Sequence, residues 1–186
     1  MIGMMKSMMH VWNSTMGALG VRHIPDILYH PGGPDVETIK LRACLQTQTY
    51  TCGSIAALMV ARHFNPRLKV DSIFRKANAD PDLGISTAKM AGVLRSCGVR
   101  VGERQSLEFR DIVDAIDRGR PILTVVNTDN PDAGHWVVIY GYGKKPNRVF
   151  LAANGTPLLG RYEYPWGFFR QHHWRYQGFG LICQGK

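Results

Sequence analysis

The chain has 186 residues, 45% of them hydrophobic and 20% charged, which suffices for one domain with a sizeable core and not for two. Its net charge of +9 comes from 23 Lys and Arg against 14 Asp and Glu, but the basic residues are scattered. No RNA-binding signature, zinc-ligand spacing, cofactor fingerprint or membrane-length apolar run accompanies them, so no nucleic-acid partner, metal, cofactor or membrane span is expected.

Residues 1–38 read as an irregular or helical N-terminal extension. Met1 to Gly20 is rich in methionine, but Lys6, His10, Asn13 and Ser14 interrupt it, and no cleavage site follows, so it does not read as a signal peptide. Pro25 and the run His30-Pro-Gly-Gly-Pro34 break any long element. The compact domain is expected to span 39–186.

Within it, Cys52 to Phe64 (CGSIAALMVARHF) is apolar on every side, the mark of a buried central helix. Thr51 is its expected N-cap, and Asn65-Pro66 ends it. A short helix over Val70–Ala77, opened by Asp71, comes next. Ser86–Cys97 carries an apolar stripe of Ala88, Ala91, Val93 and Leu94, with Gly98 as its stop. Val99–Val101 reads as a short strand, Glu108–Arg118 as an amphipathic helix closed by Gly119, and Ile122–Val126 as a strand. From there β-formers dominate: His135–Tyr142 and Arg148–Ala152 form a hairpin, Gly160–Tyr164 another strand, Pro165–Gln171 a short helix or turn, and Gly178–Cys183 a last strand. Helices first and antiparallel strands after make an α+β domain of two lobes.

Chemistry concentrates at Cys52. A thiol attacks only as thiolate, and a helix N-terminus favours that charge. Gly53 and Ser54 behind it would let backbone and substrate approach. Cys44, Cys97 and Cys183 read as free or buried thiols. Six residues before Cys52, the amide of Gln46 is placed to donate to an oxyanion, with the N–H of Cys52 as a second donor; Gln48 is the nearby decoy. His135 follows Ala133-Gly134 and opens a strand, a position from which an imidazole can face a cleft and take a proton from sulfur. His10, His23, His30 and His63 read as surface or satisfied histidines, and His172-His173 would face opposite ways on a strand. Asn154, after the strand VFLAA, can accept from the imidazole N–H and hold its tautomer, completing a Cys-His-Asn arrangement.

Leu45-Gln46-x5-Cys52-Gly53, the Ala-rich helix and Gly134-His135-Trp-Val-Val together resemble the bacteriocin-leader (double-glycine) cysteine peptidases. These are papain-like domains, often fused to an export transporter, that cut after a double-glycine leader. The resemblance runs from about Ile39 to Cys183. It implies a helical lobe with a central Cys-bearing helix packed on an antiparallel sheet, Cys52 as nucleophile, Gln46 as oxyanion donor, His135 as base, Asn154 as orienter, and a peptide or protein as substrate. One departure is visible: the family's third residue is usually Asp followed by Pro, and here it is Asn154 followed by Gly155. No transporter span follows, so a substrate other than an exported leader is open. Two alternatives stand beside the peptidase: another acyl transfer on the same triad (transferase, deamidase or amidase-type toxin), and a non-catalytic peptide-binding relative.

Overall fold

The computed structural model describes residues 33–42, 46, 49–80, 82–128, 134–152, 161–174, 176 and 178–186. Asn154, Gln48, Leu45, Cys44, His10, His23 and His30 lie outside them, as does most of the 1–38 extension.

Among the described residues, four helices have eight residues or more: α1 (Cys52–Phe64), α2 (Val70–Ala77), α3 (Thr87–Ser96) and α4 (Phe109–Asp117). The strands are β1 (Val36–Thr38), β2 (Arg100–Arg104), β3 (Ile122–Asn127), β4 (Gly134–Lys144), β5 (Asn147–Ala152), β6 (Arg161–Pro165) and β7 (Gly180–Gln184). They make one seven-stranded antiparallel sheet in the order β2-β7-β3-β4-β5-β6, with β1 added alongside β4. Among the described residues no helix is long and apolar enough to cross a membrane.

Each helix follows from its residues. In α1 every position from Cys52 to Ala61 is buried, as an element apolar all round must be. Small side chains (Ala56, Ala57, Ala61) bring it close to β4, while Ile55, Leu58 and Met59 each contribute roughly 2 kcal/mol by burial. Ser86 caps α3 by accepting from Lys89 N at 3.3 Å. Glu108 and Asp111 form a reciprocal capping box on α4. Thr51 departs from expectation: it makes no side-chain cap. The chain arrives at Cys52 through a 3₁₀ turn, Thr49–Thr51, which leaves Thr51 at φ −93°, ψ 9° instead of the extended backbone of an N-cap.

Strand β4 is the spine. Its first half pairs with β3 from Asn127↔Gly134 to Ile122↔Ile139; beyond that β1 takes over at Val36↔Gly143 to Thr38↔Gly141. The sheet therefore recruits residues ahead of Ile39. The handover needs Gly141, where a Cβ would sit 2.7 Å from both Glu37 O and Thr38 Cγ2. Helix α1 packs across β4, and α4 docks on it through the Tyr142 hydroxyl, which donates to Asp117 Oδ1 at 2.5 Å. The result is an α+β domain in which the N-terminus of α1 meets the start of β4.

Candidate active site

That junction is tightly specified. Cys52, first residue of α1, is 8% exposed. The backbone N–H groups of Trp136, Gly53 and Cys52 itself donate toward its sulfur. The contact with Trp136 N–H sets Cys52 Sγ against the His135–Trp136 peptide bond. By standard backbone dimensions this leaves the sulfur on the order of 6 Å from the Cα of His135.

The helix-terminus argument predicts a thiol pKa pushed down. The structure moves it the other way: burial drives the Cys52 thiol above its ordinary value, and the three N–H donors only partly offset this. Burial thus favours the neutral thiol, at a place where its anion would be hydrogen-bonded.

Trp136 locks the junction from the other side. Its indole Nε1 donates to Ile85 O at 2.9 Å in a buried contact. Its ring lies over Gly53, where a Cβ would meet Trp136 Cδ1 and Met90 Cε at 3.0 Å and Ile85 Cδ1 at 3.1 Å. Gly53 therefore makes room for the indole and not for substrate, which corrects the sequence expectation. Ser54 is 1% exposed, too buried to meet a substrate. Two of the three crowding atoms belong to side chains fixed by packing, so Gly53→Val is expected to destabilise the fold by about 2 kcal/mol or more. Urea unfolding checks this, and an unchanged midpoint would refute the packing account.

The turn behind Ile85 is built to stay in place. Asp80 and Gly84 exchange backbone hydrogen bonds of 2.8 Å each way. The N–H groups of Leu83 and Asp82 donate to Asp80 Oδ1, both at 2.9 Å, and hold its carboxyl below the usual carboxylate range.

His135 is the second residue of β4, half-buried and opposite Val126. The neighbouring strand end is anchored by the buried Trp174 indole, which donates to Thr124 Oγ1 at 2.7 Å and Phe179 O at 3.0 Å. Gln46 is buried, 6% exposed, in the segment leading to the turn before α1. Asn154 lies outside the described residues; the last described position before it, Ala152, pairs with Val138, three residues along β4 from His135. His63 lies at the far end of α1, away from Cys52, with its ring nitrogens 3.2 Å from Lys40 O and 3.3 Å from Gly119 O; a neutral ring donates to one of these two carbonyls. Cys97 and Cys183 are free thiols, the latter buried.

Sequence reasoning did not find the Trp136 amide as a donor to sulfur, nor the Asp80–Ile85 turn that clamps the indole. The one available signal was the tryptophan directly after His135, a large side chain beside a small-residue helix start.

Comparison with known proteins gives a consistent answer. The model of the Peptidase_C39 like family matches residues 38–182. No curated protein sequence matches the chain. Among solved structures it is similar to a double glycine motif protease from an AMS/PCAT transporter in complex with its leader peptide. That match has 15% identity and a TM-score of 0.60, and covers 81% of this chain and 95% of that one. It is also similar to the peptidase domain of Streptococcus ComA, a bi-functional ABC transporter involved in a quorum-sensing pathway. Here identity is 15% and TM-score 0.61, over 81% of this chain and 98% of that one. The likeness establishes a papain-like α+β fold.

Proposed function

This chain belongs to the Peptidase_C39 like family and is by that membership a cysteine peptidase, and from that premise we propose that it hydrolyses a peptide bond through an S-acyl intermediate on Cys52. The observation that carries the reading is the hydrogen bond from Trp136 N–H to Cys52 Sγ. It ties the nucleophile to the residue next to His135, within the span of a histidine side chain.

In this mechanism His135 removes the proton from the neutral Cys52 thiol as sulfur attacks the carbonyl carbon. The oxyanion accepts hydrogen bonds from the Cys52 N–H and the Gln46 amide. His135 then returns the proton to the departing amine, and a thioester is left on Cys52. Water, deprotonated by the same imidazole, attacks the thioester; the C–S bond breaks, the imidazolium returns that proton to the departing Cys52 sulfur, and the new acid leaves as its carboxylate. Asn154 accepts from the other ring N–H and fixes the tautomer. Burial of the thiol supports this order of events: with the proton on sulfur at rest, the base is required in the attack itself. The leader peptide bound to the transporter protease relative supports an extended peptide as substrate.

The test is incubation with a library of extended peptides, followed by mass spectrometry of the products and an assay for ammonia. Two peptide fragments at a defined bond support hydrolysis; ammonia without fragments would replace it with deamidation. In the same assay Gln46→Ala is expected to lower kcat by about 10²-fold to 10³-fold with KM little changed, the signature of a donor used in the transition state. An unchanged kcat would remove Gln46 from the site.

A further inference from the structure

The sheet has a second feature that the peptidase chemistry does not use. At the β2 edge, Arg100 and Arg104 of β2 and Arg120, just ahead of β3, surround a cavity of about 290 Å³, with Gly102 and Ile182 as its floor and Gln184 at its side. No Asp or Glu lines it, and among the described residues none of the three guanidinium groups is in an ion pair. Arg100 Nε donates to Gly185 O at 3.0 Å and Arg104 Nη1 to Glu103 O at 3.2 Å, so among the described residues most of their N–H donors have no protein partner.

Side chains alternate along a strand. Glu103 turns toward α3, where it pairs with Arg95 at 3.1 Å. Arg100, Gly102 and Arg104 therefore share the other face, away from α3 and the α1 helix against which α3 packs. The cavity and Cys52 lie on opposite sides of the sheet. Strand β2 is also the end of the sheet, bonded on one side only, to β7. The backbone groups that point outward are those of Val101 and Glu103: Val101 O accepts from Arg95 Nη2 at 3.5 Å and Glu103 O from Arg104 Nη1 at 3.2 Å, while among the described residues the two N–H groups have no partner.

We propose that this edge is a docking site for an extended acidic segment of a partner protein, which adds as a strand beside β2 and sets its carboxylates against Arg100 and Arg104. The alternatives fit the chemistry less well. Arg100 and Arg104 stand roughly 13 Å apart along the strand, a spacing that two carboxylates of one extended segment match. No aromatic ring lines the cavity to stack a base. A second copy would bring like charges face to face across the new pair. An acidic strand answers both the two outward N–H groups of the edge and the unpaired cations.

The experiment uses the full chain and a fluorescein-labelled peptide, Glu-Val-Ser-Val-Glu, whose terminal glutamates match the spacing of the two arginines. Saturable anisotropy is expected with the native protein. The double charge reversal Arg100→Glu with Arg104→Glu, both at exposed positions, is expected to weaken it by at least about tenfold. The lysine counterpart, Lys-Val-Ser-Val-Lys, should bind that double variant and not the native chain, which shows that loss of binding is not loss of fold. Hydrolysis at Cys52 should be unchanged, so this proposal and the peptidase reading fail separately. Three results would overturn it: no saturable binding of the acidic peptide, equal binding by the double variant, or tighter binding of a short oligonucleotide or of polyphosphate through the same arginines.

Discussion

Cys52→Ala is expected to abolish peptide hydrolysis, with a fall in kcat/KM of at least about 10⁴-fold, in a protein that stays folded. Alanine keeps the Cβ and the helix preference of α1 and removes only the sulfur. The three N–H groups that point at Sγ lose an acceptor, but those of Gly53 and Cys52 belong to the first turn of a helix, where unpaired donors are the rule. The N–H of Trp136 lies in a buried strand and is the main loss, so the stability cost is about 1 to 2 kcal/mol. Circular dichroism should overlay the native protein, and urea unfolding shift by no more than that, while turnover disappears. Retained turnover would remove Cys52 from the chemistry, whatever else the site contains.

The second large effect belongs to His135. Its replacement by Ala is expected to lower kcat by about 10³-fold or more, because the neutral thiol then has no base. The pH dependence separates this role from a structural one. Burial outweighs the hydrogen bonds at Cys52 and raises its pKa, so in the His135→Ala protein the thiolate fraction at neutral pH is smaller than for an ordinary cysteine. Iodoacetamide should then label Cys52 slowly at neutral pH. The rate should climb about tenfold per pH unit until pH passes the raised pKa, beyond the ordinary thiol range. With His135 as the base, labelling of the native protein is expected to stay measurable near neutrality. If the variant is labelled at neutral pH as fast as the native protein, His135 is not the base.

The opening of β4 shows how far the sequence could be read and where it stopped. Helix α1 was legible to the residue, because ten apolar or small positions in a row from Cys52 to Ala61, between a turn and Asn65-Pro66, leave no other reading. The start of β4, within one residue of His135, was legible from its β-formers and the glycine before it. Pairing between them was not, since it depends on an amide N–H, a group that every non-proline residue carries. The sign of the Cys52 shift was misread for a related reason. The helix terminus is a local feature and visible in the chain, whereas burial is a property of the assembled fold, and here burial dominates. Strand β1 escaped notice because three residues after a Gly-Pro turn have no periodicity of their own; β4 supplies it by pairing. Gly53 looked like access for substrate until the Trp136 ring was found above it. Asn154 and the loop around it lie outside the described residues, and its role rests on the Cys-His-Asn pattern.

The central claim is that the sulfur heading α1 carries the acyl group between the two halves of the reaction. Acid quenching of a single turnover, digestion and mass spectrometry of the fragment bearing Cys52 tests it most directly. The account predicts a transient thioester on Cys52 whose mass matches the N-terminal part of the cleaved peptide, absent in Cys52→Ala. Turnover at full rate with no adduct on that fragment, or an adduct on Cys97 instead, would contradict it.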